Sequence, residues 1–173
     1  METNVLGANI GFAAVAGLAG ALVMLVLIYL LKMVGFKVDL PYIMGTIFVK
    51  PEKKSSVYGL GLVIYFIIGA MYGMFFIIQM MGITQPPQWW LGIVYGFASA
   101  FLSGVLLGTL ADDHPNMGEG KEISNPGMFA TNWGLGNTAT FFIIHIIFGL
   151  VTLMTYIHLY GPTYIPRISS PLF

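Results

Sequence analysis

The chain has 173 residues, 57% of them hydrophobic and only 8% charged, and its mean hydropathy is +0.85. A soluble domain carries about 25% charged residues, so this composition describes an integral membrane protein with little mass outside the bilayer. Seven Lys and Arg balance seven Asp and Glu and there is no Cys, which excludes disulfides, thiolate metal sites and cysteine nucleophiles and gives no basis for nucleic-acid binding.

The opening METNVLGAN has no basic residue, and the apolar run behind it is too long for a signal-peptide core. The first span is therefore expected to be retained. About 20 apolar residues cross the hydrocarbon, and four runs are long enough. The first, about 10–31, carries Ala13, Gly17 and Ala21 on one helical face. Segment 38–48, VDLPYIMGTIF, is too broken by Pro41 and Gly45 to cross and too apolar for water. It is expected to lie in the interface, held by Lys50, Lys53 and Lys54.

The second span, about 58–81, contains Gly69 and Gly73, a small-residue pair one turn apart, and a polar seam of Tyr58, Tyr65, Tyr72 and Gln79. The turn 82–88 holds Pro86 and Pro87 and leads into Trp89-Trp90, a pair suited to an interfacial aromatic belt. In the third span, about 89–110, Gly92, Gly96, Ala100, Gly104 and Gly108 recur every fourth residue. Each interior Gly costs a helix about 1 kcal/mol relative to Ala. In lipid the same stripe is a groove through which another helix approaches backbone to backbone, in this chain or in a partner. Tyr95, Ser99 and Ser103 make a second polar seam, and facing seams on the second and third spans suit interhelical hydrogen bonds.

Loop 111–136 is polar and turn-rich, the fourth span covers about 137–160, and the tail 161–173 has three prolines and should be extended. Gly149 opens space on the fourth span. Lys32, Lys37, Lys50, Lys53, Lys54 and Lys121 all fall on the side of the two long loops, against Arg167 on the other side. The positive-inside rule then puts both termini outside the cytoplasm of a bacterial inner membrane. Tyr58-Gly59-Leu60-Gly61 at the second span returns as Trp133-Gly134-Leu135-Gly136 at the fourth, and Phe66-Ile67-Ile68 returns as Phe142-Ile143-Ile144. The expectation is an all-α fold of four spans in two tandem hairpins, related as a parallel internal repeat.

The pattern NPGMFATNWGLG, followed by His145-Ile146-Ile147-Phe148-Gly149, resembles a group of small four-span bacterial membrane proteins of unknown function. Those proteins also close with a His-x-x-aromatic-Gly helix after a Gly-rich loop. The resemblance covers mainly the second to fourth spans. It implies a four-helix membrane fold and carries over no catalytic or ligand residue.

An ionisable group within a span is a functional candidate by default, and His145 is the clear case. It would serve as a haem or metal ligand or as a proton carrier. With no second His, Asp or Glu on another span, a structural imidazole bonded to Tyr65, Tyr72 or Ser103 of a neighbouring helix is the preferred reading. His145 and His158 point to nearly opposite sides of a helix at 100° per residue, which argues against stacked haems. Asp112, Asp113 and His114 could hold a divalent metal through oxygen and imidazole, but a solvated helix end is favoured because Pro115 breaks the segment.

No nucleophile–base set, phosphate loop or dinucleotide fingerprint is present, and no cofactor or soluble small-molecule substrate is expected. The expected role is a non-catalytic accessory subunit of a larger membrane complex, foremost a bacterial respiratory or other electron-transfer assembly. It would meet lipids and other membrane subunits through its small-residue faces and its tail. A small homo-oligomeric transporter or channel is the alternative.

Overall fold

A chain crossing hydrocarbon must satisfy every backbone N–H and C=O internally, and long apolar segments do so as helices. The computed structural model describes residues 3–83 and 88–160. Its elements are α1 (Thr3–Lys32), α2 (Leu40–Thr46), α3 (Lys54–Ile83), α4 (Leu91–Asp113), a short 3-10 segment (Met128–Trp133) and α5 (Leu135–Tyr160). Four helices are long and apolar enough to cross a membrane, over Ile10–Lys32, Lys54–Gln79, Leu91–Asp113 and Leu135–Tyr160. The protein is an all-α, multi-pass membrane protein. Most of the turn expected at 82–88 and all of the tail 161–173 lie outside the described residues.

α1 packs against α3, α4 packs against α5, and the two hairpins join along α1 and α5, whereas α3 and α4 barely meet. A parallel twofold would make the α1–α5 and α3–α4 contacts equivalent, and they are unequal. Missing side chains set the close contacts. A Cβ at Gly17 would sit 2.3 Å from the Gly69 carbonyl oxygen, and one at Gly73 would sit 2.5 Å from that of Ala13. On the second hairpin, a Cβ at Gly96 would come within 2.5 Å of Ile146 Cα, and one at Gly149 within 2.2 Å of the Gly92 oxygen. These distances are far inside van der Waals contact, so only glycine fits.

The stripe on α4 divides its work. Gly92 and Gly96 receive α5, while Gly104 and Gly108 receive the 3-10 segment, with Phe129 Cδ1 and Met128 Cγ at 2.1 and 2.4 Å from the would-be Cβ atoms. Phe129 and Ala130 take positive φ of 57° and 60°, a left-handed conformation that costs non-glycine residues roughly 1–2 kcal/mol each. Packing offsets that cost. Ala130 is fully buried, and the Phe129 ring stacks on Phe142 and tilts against Phe101, both with centroids 5.5 Å away.

Segment 38–48, expected to lie in the interface, contains α2, which packs into the protein. Leu40, Pro41, Ile43, Gly45 and Thr46 are buried, and the helix packs on the first turns of α3. Gly45 and Gly61 permit this, since a Cβ at either would meet the carbonyl oxygen of Val57 or Pro41 at 2.0 and 1.8 Å. Asp39 caps α2 by accepting from Tyr42 N at 3.2 Å and is ion-paired with Lys32.

Glycine contacts of this kind make a sharp prediction. Gly96→Ala and Gly149→Ala should each destabilise the folded protein by about 1–3 kcal/mol, the usual cost of overpacking. Leu106→Ala, at an exposed position, should cost less than either. Thermal or denaturant unfolding in detergent measures the ranking, and equal tolerance at all three positions would refute this packing.

Candidate functional site

Because α3 and α4 hardly touch, a cleft remains between them, and the two polar seams meet inside it. Tyr72 and Ser103 face each other across the gap with their oxygens 3.2 Å apart, as facing seams predict. One turn-pair away, the Tyr65 hydroxyl donates to the Ala21 carbonyl of α1 at 3.0 Å. Tyr58, at the loop end, donates to Asp39 at 2.8 Å. The three tyrosines thus tie α3 to three different elements. The fourth seam residue, Gln79, is exposed. Ser99 bonds the Gly96 carbonyl of its own helix at 2.8 Å.

His145 lies at the back of this gap and is 4% exposed. Its Nδ1 is 2.7 Å from the Phe141 carbonyl oxygen, one turn back on α5. A carbonyl can only accept, so Nδ1 carries the hydrogen and Nε2 of the uncharged ring is an acceptor. The bond is therefore within α5, not to the neighbouring helix that the sequence reading assigned to it. The ring lines a cavity of about 50 Å³ together with Tyr65, Tyr72, Ser99 and Ser103. A water needs roughly 10–15 Å³ of such volume, so this centre has room for one to bridge the imidazole and the hydroxyls.

Beside this small cavity lies a larger apolar one of about 310 Å³, which shares Leu40, Met44, Ile68, Tyr72 and Ser103 with it. Ile64 and Ile68 of α3 form one wall and Leu107 of α4 the other, with Met44 of α2 between them. His114 and Met117 line the loop end. Leu106 and Leu110 form a rim that is 44% and 52% exposed within the α4 span. The volume stands at the lower end of the roughly 300–1,000 Å³ of small-molecule sites. The chemistry on offer is an apolar slot bordered by the Tyr72 and Ser103 hydroxyls, with an imidazole in the small cavity beside it.

The expected metal candidates do not converge. Asp112 and Asp113 are exposed, and Asp112 accepts from Asn125 Nδ2 at 3.4 Å. His114 turns inward. Its Nδ1 accepts from Asn116 N at 3.1 Å, so Nε2 donates to the Ile43 carbonyl at 3.0 Å and both ring nitrogens are engaged. Instead of a solvated helix end, His114 is a buried tie between the end of α4 and α2. Among the described residues no three His, Cys, Asp or Glu come together as a metal site. His158 is exposed on the last turn of α5.

Sequence reasoning missed Asp39 and Met44 and misplaced His114. His114 carries no local signal of inward orientation. Asp39 could have been found, since Asp before Leu40-Pro41 is a helix-start pattern. Met44 enters only because α2 folds inward. Comparison with protein-family models, curated proteins and solved structures gives no match.

The seam bonds can be apportioned by a double-mutant cycle. Tyr72→Phe and Ser103→Ala should each cost about 0.6 kcal/mol, typical of interhelical hydrogen bonds in membranes, and the pair should cost no more than either alone. Reversible unfolding in micelles reads the coupling. Fully additive losses would mean that the two hydroxyls do not interact.

Proposed function

We propose that this chain is a non-catalytic binding subunit of a cytoplasmic-membrane assembly, holding a lipid-soluble molecule in the α3–α4 cleft. The observation that carries the reading is an apolar slot of about 310 Å³ that shares Tyr72 and Ser103 with the small cavity lined by His145. An amphiphile with a long apolar body and one hydrogen-bonding head matches both ends. Its head would take a hydrogen bond from Tyr72 or Ser103, or give one to His145 Nε2. The exposed Leu106–Leu110 rim supports entry from the side.

The small-residue faces expected to recruit partners are largely covered inside the chain, as the contacts at Gly17, Gly69, Gly73, Gly92, Gly96 and Gly149 indicate. A role in a respiratory or other electron-transfer assembly therefore rests on the cleft rather than on spare packing faces. The transporter or channel alternative has less support. The end of the bundle away from the long loops is filled by Ala13, Ala16, Ile77, Leu91, Leu153 and Tyr156, which makes the cleft a blind one. The lysines of the loop side support an orientation with both termini outside the cytoplasm.

Native mass spectrometry of the protein purified in mild detergent should find a co-purifying apolar molecule near one per chain. Ile68→Phe and Leu107→Trp, which fill the slot, should remove it while helical content is kept. A protein that carries nothing, or variants that carry as much as the unaltered chain, would refute the cleft reading. Cysteines placed at Ser55 and Ser124 should resist an impermeant thiol reagent in intact cells and react after lysis. Labelling of both in intact cells would reverse the orientation.

A further inference from the structure

A second concavity, distinct from the cleft, lies at the loop end between the close of α1, α2, the start of α3 and the 121–133 loop. It holds about 370 Å³ and is lined by Lys32, Lys37, Lys54, Asp39, Glu122 and Ser124, with Tyr42, Tyr58 and Trp133 around them. Both carboxylates are already committed. Asp39 accepts from Lys32, from the Tyr58 hydroxyl at 2.8 Å and from Tyr42 N at 3.2 Å. Glu122 accepts from the Tyr42 hydroxyl at 2.5 Å. Burial first, then that hydrogen bond and the Glu122 charge, push the Tyr42 phenol up to about 12, so it remains a donor at neutral pH.

Glu122 keeps its charge, yet three lysines against two carboxylates leave the concavity net positive. Lys32–Asp39 is the single ion pair among the described residues, so Lys37 and Lys54 bring two ammonium groups to the concavity with no carboxylate closer than ion-pair distance. Trp133 Nε1 donates to Ser124 Oγ at 2.7 Å, which occupies a lone pair of that hydroxyl and leaves its hydrogen to be given to a ligand. Lys54 opens α3, whose first N–H groups and positive dipole end add to the field. Lys32 ends one candidate span and Lys54 begins the next, a placement that suits contact with lipid head groups.

We propose that this concavity binds a phosphate-bearing anion, contacted by Lys37, Lys54 and the Ser124 hydroxyl. The same chemistry is carried by the head group of an anionic phospholipid and by free phosphate, and the two sources separate experimentally. The full chain is placed in nanodiscs of phosphatidylcholine with or without phosphatidylglycerol, and separately in phosphatidylcholine alone with inorganic phosphate. Melting temperature and native mass spectrometry are the readouts. The comparison set is Lys37→Gln/Lys54→Gln, Ser124→Ala and, outside the concavity, Lys50→Gln/Lys53→Gln.

Phosphatidylglycerol should stabilise the unaltered protein and bind it as a retained adduct. Lys37→Gln/Lys54→Gln should weaken that binding by about tenfold or more, in line with about 1 kcal/mol per basic residue near a membrane surface. Ser124→Ala should weaken it less, and Lys50→Gln/Lys53→Gln should leave the adduct in place. Stabilisation by phosphatidylglycerol alone assigns the site to a lipid head group, and stabilisation by inorganic phosphate with the same lysine dependence assigns it to the free anion. Binding of neither overturns the proposal. So does an equal loss in both double-lysine variants, which would reduce the effect to general surface charge. All variants keep the Asp39 and Glu122 contacts, so a fold check by circular dichroism separates lost binding from lost structure.

Discussion

Backbone-to-backbone contact between helices is the constraint on which this structure depends. In lipid there is little hydrophobic gain from bringing two apolar helices together, so association rests on dispersion contacts at short range and on a few hydrogen bonds. Glycine supplies the first. α1 and α3 meet at Gly17, Gly69 and Gly73, and α4 and α5 meet at Gly92, Gly96 and Gly149, where a Cβ would enter the neighbouring backbone or, at Gly69, the Ala21 side chain. The two hairpins are joined where Gly20 of α1 lies against Thr152 and Phe148 of α5. Every other feature is placed by what these contacts draw together and what they leave apart.

What they leave apart is the α3–α4 side. The close-packing glycines of these helices face the hairpin partner, α2 at Gly61, or the 3-10 segment at Gly104 and Gly108. The facing surfaces of α3 and α4 carry Ile64, Ile68, Tyr72, Ser103 and Leu107, whose bulk keeps the backbones apart. The Tyr72–Ser103 bond spans that gap without closing it. Close packing elsewhere and a cleft here are therefore two results of one distribution of side-chain sizes.

The loop end is built by polar contacts of a different kind. His114 and Asn116 bind the carbonyls of Ile43 and Thr46, so the chain leaving α4 is fastened to α2. Asp39 gathers Lys32, Tyr58 and the first turn of α2. This cap encloses the loop end of the apolar cleft on one side of Ile43 and borders the lysine-lined concavity on the other. A short helix that is buried on both sides thus separates an apolar site from a charged one.

Hydropathy and length alone determined that the chain is helical, that it has four spans and roughly where they lie, because those properties depend on transfer of each segment into hydrocarbon and not on its neighbours. The fourfold spacing from Gly92 to Gly108 likewise marked a close-packing face, and the sevenfold tyrosine spacing marked a polar one. Which partner each face meets was decided only in three dimensions. Gly96 and Gly104 are equivalent in the sequence pattern, yet one receives α5 and the other the Phe129 ring. His145 turned its Nδ1 to its own helix, and His114 turned inward to α2, because a ring nitrogen bonds whichever carbonyl the fold brings within reach. The site exists where two helices fail to pack, and a gap between non-adjacent surfaces has no local sequence signature.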